Sequence, residues 1–273
     1  MSSTAAVAAH RSFGPLLRKL RGSAGLSQER LAQHAEVSAR HLSFLETGRS
    51  APSRDMVLVL ASALDLPLRD RNTLLTSAGF APVYRQSSLE DDALASVKVA
   101  FDHILRGFEP HGAVLVDGSW NVLQMNGGAQ RLMGWALADR SPPPEALGNV
   151  LHGLFHPEGL RALMVNWEEV AGLLVARHER DLALRPDPQA RALLNALLAY
   201  PGVPESLRGP RPLTGTLPFV PVHLRKNGVD LRLFTVLTSL GTPADVTAEE
   251  LRVEAYFPAD EATTAFVQKL AHS

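Results

Sequence analysis

At 273 residues, the chain is nearly twice the ~150 residues of a common single domain, so two domains are expected. Hydrophobic residues at 45% and charged residues at 20% exclude a disordered or fibrous chain, and the lack of cysteine excludes disulfides, thiolate metal sites and a cysteine nucleophile. The formal net charge of -1 joins two unlike segments: residues 1–85 hold 11 Lys+Arg against 6 Asp+Glu, and residues 86–273 hold 16 against 22. The first segment has the sign a nucleic-acid partner would attract. No run approaches ~18 apolar residues. Met1 to His10 lacks the basic end and apolar stretch of a signal peptide, so the chain reads as cytosolic, with no membrane partner.

Phe13, Leu16, Leu17 and Leu20 recur at helical spacing, and Gly22 and Gly25 end that helix. Ser27 caps a second helix with Leu31, Ala32 and Ala35 on its apolar face. After a tight turn at Glu36-Val37, Ser38 caps a third helix carrying Leu42 and Leu45, which Gly48 closes. Pro52-Ser53 leads into a fourth with Met56, Val57, Leu60 and Leu64. Pro67 opens a fifth with Leu68, Leu74 and Leu75, stopped by Gly79 and Pro82. These five helices define a domain over residues 10–82, followed by a polar linker over 83–92 and a second domain over 93–273.

In the second domain a helix from Leu94 to Leu105 precedes a change of period. Ala113 to Val116 reads as a buried strand, Asp117-Gly118 as a turn and Trp120 to Met125 as an alternating strand. Asn126 caps a short helix holding Leu132 and Met133. Residues 145–200 are helical in three or four pieces, broken near Pro157 and Pro186. A Pro/Gly-rich crossing over 201–218 leads to strands at Val220 to Lys226 and Val229 to Leu240, joined by the hairpin dipeptide Asn227-Gly228. A strand from Leu251 to Phe257 and a helix from Asp260 to Leu270 close the chain.

Gln28 to His34 and Ser38 to Glu46 have the lengths and the short connection that let one helix brace a DNA backbone while the next enters the major groove. The pattern alone equally describes a five-helix bundle with a solvated face. Its surroundings decide between the two. Leu26-Ser27-Gln28-Glu29-Arg30-Leu31-Ala32, Val37-Ser38, Leu45-Glu46-Thr47-Gly48-Arg49 and Pro52-Ser53 resemble, at matching spacing, the Xre-type, lambda-repressor-like transcription regulators. The resemblance covers residues 13–80 and implies double-stranded DNA as partner. It implies that Gln28 contacts backbone, that Ala39, Arg40 and Ser43 face base edges, that His41 reaches a base or a phosphate, and that Ser38 sets helix amides near a phosphate. Phe44 touches a thymine methyl or packs, and Arg49 and Arg54 meet phosphates; Arg18 and Arg21 are weaker phosphate candidates.

A narrower resemblance is to MmyB-like regulators, carried by Arg40 to Arg49, Ala78-Gly79-Phe80-Ala81-Pro82, Trp120-Asn121-Val122 and Asn126. It implies an all-α five-helix head followed by an α/β PAS-like domain with an antiparallel sheet and several added helices. Segments 241–246 and 257–261 also look family-like, without an assigned role. Met125, Leu132, Met133, Trp135, Phe155, Met164, Trp167, Leu174 and Phe234 are the candidate ligand-binding residues, though residue by residue ordinary core is the simpler reading. The resemblance implies a small apolar, fatty-acid-like ligand and no other cofactor.

His152 and His156 lie four apart, but no third ligand follows at diagnostic spacing, so no metal site is expected. No phosphate loop or nucleophile elbow is present, which argues against an enzyme. The expectation is a homodimeric, DNA-binding transcription regulator whose second domain senses a ligand. The alternative is a regulator whose second domain is a ligand-free dimerisation or protein-interaction module.

Overall fold

The computed structural model describes residues 2–184, 187–209 and 222–272. The Pro186 break, residues 210–218 of the Pro/Gly-rich crossing, and Val220 and Pro221 of the expected strand lie outside the described residues. Packing divides the chain into two units: residues 1–89 with 242–249, and residues 90–241 with 250–273.

The first unit holds α1 (Ser2–Ser23), α2 (Gln28–His34), α3 (Ala39–Glu46), α4 (Arg54–Ala63) and α5 (Leu68–Ser77). Helix α1 starts well before the first periodic residue, Phe13, because the alanine-rich stretch from Ala5 to Ala9 favours helix. Three serines start the next helices: Ser27, Ser38 and Ser53 accept the amides of Arg30, His41 and Met56 at 3.1, 3.1 and 3.2 Å. A short side-chain oxygen there satisfies a donor that the first turn leaves unpaired. Gly48 ends α3 with φ of 70°, a conformation that a Cβ would strain. The helices bury Phe13, Leu17, Leu31, Leu42, Leu45, Leu60 and Leu74 in one cluster, each stabilising by about 1.5–3 kcal/mol.

Residues 83–89 are not a free linker. The Asn72 carboxamide on α5 accepts the amides of Val83 and Tyr84 and donates to the Tyr84 carbonyl. The segment 242–249, distant in sequence, completes the unit. Asp245 accepts both the amide (3.1 Å) and the hydroxyl (2.7 Å) of Ser87, and Val246 donates its amide to Arg85 (2.8 Å). Val246 is 1% exposed. Helix α5 follows Pro67 and has no side-chain cap of its own; its Leu68 amide is instead accepted by Glu249 at 2.7 Å. The segment 241–246, family-like but without a role in the sequence, thereby gains one.

The second unit opens with α6 (Ala95–Gly107), β1 (Gly112–Val116) and β2 (Val122–Met125). It continues with α7 (Gly127–Leu137), α8 (Pro144–Gly148), α9 (Val150–Phe155), α10 (Trp167–Leu184) and α11 (Pro188–Leu198). Then come β3 (Val222–Lys226) and β4 (Val229–Thr238) and, after α12 (Val246–Glu250), which lies almost wholly in the first unit, β5 (Arg252–Pro258) and the closing α13 (Glu261–Ala271). The strands form one antiparallel sheet in the order β2-β1-β5-β4-β3. Trp120 and Asn121 fall outside β2: the Asp117 carboxylate takes the Ser119 and Asn121 amides at 2.8 and 2.9 Å, and Trp120 adopts φ of 66°. Likewise β4 ends at Thr238 and not at Leu240.

Because residues opposite one another in register share a face, Val114, Glu254, Tyr256, Leu233 and Leu237 lie together, as do Leu115, Val253, Ala255, Phe257 and Phe234. The first set belongs to the side on which Val114, Leu231 and Leu233 join α7, α9, α10 and α11 in the main core. On the other side Phe108, just after α6, meets Phe257 edge-on with centroids 5.7 Å apart.

Candidate functional site

The turn between α2 and α3 is held by backbone. Val37 donates to Ala32 at 2.9 Å, and Glu36 takes a left-handed φ of 53°. Leu42, Leu45 and Glu46 are the buried residues of α3. With those positions inward, Ala39 and Arg40 are exposed, and His41, Ser43 and Phe44 are partly exposed on the remaining face. The Ser38 cap leaves the first-turn amides of α3 at the exposed end of that face, where an anionic oxygen would be favoured.

Phe44 acts as a platform for cations: the guanidinium carbons of Arg40 and Arg49 lie 5.4 and 5.9 Å from its ring centroid. Such contacts restrain long side chains at about 0.5–1 kcal/mol each when exposed. Arg49, beyond Gly48, and Arg54, at the start of α4, are both exposed. The structure therefore puts Ser38, Ala39, Arg40, His41, Ser43 and Phe44 on or at the start of one helix, with Arg49 tied to it through Phe44.

Gln28 sits differently from a freely projecting contact residue. Its carboxamide donates to Glu46 Oε2 at 2.7 Å. Arg21 closes the same carboxylate from α1, with Nε at 2.6 Å from Oε1 and Nη2 at 3.0 Å from Oε2, and donates Nη1 to the Leu26 carbonyl at 2.8 Å. Arg21 is thus committed to the frame of the head. Burial pushes the Glu46 carboxyl up, but the hydrogen bonds from Arg21 and Gln28 and the charges of Arg21 and Arg18 outweigh it and hold the group below its ordinary range. The bond to Glu46 correspondingly raises Arg21. Reading residues by helical face alone misses this triad, since a glutamate in a last turn looks solvated until α1 is known to lie beside it.

In the second unit, Leu132, Phe155, Met164 and Trp167 are buried in a single cluster, and Met125, Met133, Trp135 and Leu174 pack against it. Trp167 donates its indole N–H to the Leu154 carbonyl (2.8 Å), meets Phe155 edge-on and carries the Arg161 guanidinium 4.0 Å over its ring. Phe234 does not join them; it stacks on Phe257 at 5.5 Å on the opposite face of the sheet. Strict alternation along β4 sends residue 234 away from Leu231 and Leu233. His152 is bonded through Nδ1 to the Tyr200 hydroxyl at 2.7 Å, while His156 accepts the Glu158 amide. Among the described residues no three His, Cys, Asp or Glu side chains gather as a metal site.

Residues 12–74 match a helix-turn-helix domain. Residues 97–270, well over half of the chain, match the MmyB-like transcription regulator ligand binding domain. The chain belongs to the MmyB-like transcription regulators. The regulator thus joins a DNA-binding helix-turn-helix head to a ligand-binding domain. No curated protein matches it. Among solved structures the regulator is similar to the "Structure of an RNA-binding Light-Oxygen-Voltage Receptor" at 14% identity and a TM-score of 0.24. That alignment covers 99% of the regulator and 65% of the other chain, so the regulator spans about two thirds of that chain's length. No helix of the regulator, among the described residues, is long and apolar enough to cross a membrane.

Proposed function

We propose that this cytoplasmic regulator reads a two-fold operator as a homodimer and that a small apolar, fatty-acid-like molecule in its second domain sets operator affinity. The observation that carries the DNA part is the capped helix α3, whose exposed side offers Ala39, Arg40 and Ser43 while its other side is locked in the core. One such helix covers few base pairs, so two heads on half-sites about one helical turn apart are required for specificity. A ligand with unequal affinity for two dimer arrangements changes the population competent for DNA. The regulator works by binding, without turnover of the ligand.

Arg40→Ala is expected to weaken binding to the selected operator by about 1–3 kcal/mol and to relax preference at one base position, as for loss of a bidentate guanine contact. Fluorescence anisotropy against a set of single-base operator variants checks this; an equal loss on every sequence would move Arg40 to the phosphates.

The apolar ligand reading is supported by the match to a ligand-binding domain and by the aromatic and methionine side chains in and around the main core. Native mass spectrometry of the purified protein, with thermal melts in the presence of medium-chain alcohols and acids, tests it. The close packing of those same residues favours the second reading, a ligand-free dimerisation or protein-interaction module. No copurifying lipid and no shift in melting temperature would overturn the apolar-ligand reading and leave the second.

A further inference from the structure

We propose that Glu254 reads the polar end of the ligand, selecting an apolar chain that ends in a hydrogen-bond donor: an alcohol, or a carboxylic acid that binds with uptake of one proton. This rests on the apolar-ligand reading above and narrows it.

Glu254 sits on β5, the central strand, opposite Val114 on β1 and Leu237 on β4, and its side chain shares the sheet face of the main core. It is 9% exposed. Tyr256 donates its hydroxyl to Oε2 at 3.0 Å, and among the described residues no other group hydrogen-bonds to this carboxyl. Burial in apolar surroundings raises the carboxyl to about 7, against the pull of Tyr256 and of Arg177 on α10. The same burial pushes Tyr256 well up.

A carboxyl held inside a core by one hydrogen bond adds little to stability, since its desolvation exceeds what the single bond returns. Its position suits a partner that arrives later. Beside it on the same face, Thr235 and Leu237 of β4 are exposed although Leu231 and Leu233 on that strand are buried. Among the described residues the other carboxylate oxygen has no protein donor, and the exposed Thr235 and Leu237 leave the β4 side of this face accessible.

The charged and titratable groups around it are few. Tyr256 and Arg252 lie on its own strand and face, Arg177 approaches from α10, and the directly opposite residues on β1 and β4 are apolar. His178, next to Arg177, is bonded to the Leu174 carbonyl and is lowered by its burial. Two carboxyl groups in such a site cannot both ionise. A ligand carboxylate therefore enters only with a proton shared between it and Glu254, whereas an alcohol supplies its own O–H.

Binding of decanoate and of decanol to the full-length protein, measured by calorimetry from pH 6 to pH 9, tests this. Decanoate ionises well below this window, like any exposed carboxyl. Its Kd is expected to rise about tenfold per pH unit above pH 7, while that of decanol changes less than about threefold. Glu254→Gln should flatten the decanoate profile and tighten decanoate binding at high pH. Tyr256→Phe, which removes the one donor, should move the onset of the fall to higher pH and gives an independent readout if Glu254→Gln does not fold. Decanoate binding that is flat with pH in the wild type, or that keeps its slope in Glu254→Gln, overturns the role of Glu254 and leaves the apolar ligand standing. Absence of binding by either compound to folded wild-type protein overturns the apolar-ligand reading itself, and this proposal with it.

Discussion

Glu46→Ala is expected to destabilise the DNA-binding head by about 3–5 kcal/mol, the loss that follows when one partner of a buried ion pair is removed. The Glu46 side chain is 1% exposed and its two oxygens receive three donors, two from Arg21 on α1 and one from Gln28 on α2. Without it, a guanidinium that is itself 14% exposed keeps only the Leu26 carbonyl. Three helices lose their common tie, and the one that presents Arg40 is among them. Urea titration of the full chain measures the effect. The double change Arg21→Met with Glu46→Met should recover most of the loss, because it removes both charges and keeps the volume. If Glu46→Ala proves neutral, the triad is a surface ion pair in energetic terms and the frame of the head rests on its leucines alone.

The same residue dictates an acid limit. Its carboxyl is held below the ordinary 4.5 in the folded head, so its contribution is fully present above that value and is lost as pH falls through the lower folded one. Melting temperature between pH 5 and pH 3 should therefore fall more steeply for the wild type than for Glu46→Gln.

In the second unit the largest effect is expected at Asn126. Its Oδ1 accepts the amides of Ala113 (2.9 Å) and Ala129 (2.8 Å), and its Nδ2 donates to the carbonyls of Leu105 (3.1 Å) and His111 (2.9 Å). One carboxamide ties the end of α6, the entry to β1 and the first turn of α7 together at 7% exposure. Asn126→Ala leaves several buried groups unpaired at about 1–3 kcal/mol each, so a loss of about 3–5 kcal/mol is expected by calorimetry. Asn126→Asp discriminates between a simple cap and this bridge. Aspartate caps helices as well as asparagine does, yet here it loses both donors and sets a carboxylate oxygen against two carbonyls. It should be no more stable than the alanine variant at pH 7. Wild-type stability in Asn126→Asp would show that the cap alone matters.

Features whose cause lies within four residues were readable from the sequence. Ser27, Ser38 and Ser53 each signal a helix start through one local hydrogen bond, and Gly48 an end through its own φ, so the helices of the head and the exposed side of α3 follow directly. Asn126 was readable as a cap for the same reason, but not as a bridge, because Leu105 and His111 become its neighbours only after the sheet closes. Glu254 and Tyr256 were missed on different grounds. Alternation along β5 marks Arg252, Glu254 and Tyr256 as the polar, outward set, an inference valid only for a sheet with one wet face. Here the middle of β5 is packed on both sides, with Val253 and Ala255 buried on one face and Glu254 on the other, so Glu254 points toward the main core. Phe234 failed in the opposite sense: it is large and apolar, but its place in the alternation puts it behind the sheet.

The segment 242–249 bears on the order in which the protein becomes functional during synthesis. Domains emerge and fold from the N-terminus as the chain lengthens, and the five helices of the head are all made within the first 77 residues. Yet the carboxylate that accepts the Leu68 amide, the carboxylate that holds Ser87 and the buried Val246 come from beyond residue 240. Until β4 of the ligand-binding domain and the residues just beyond it have been made, a nascent head lacks the acceptor for the first amide of α5 and the partner of Ser87.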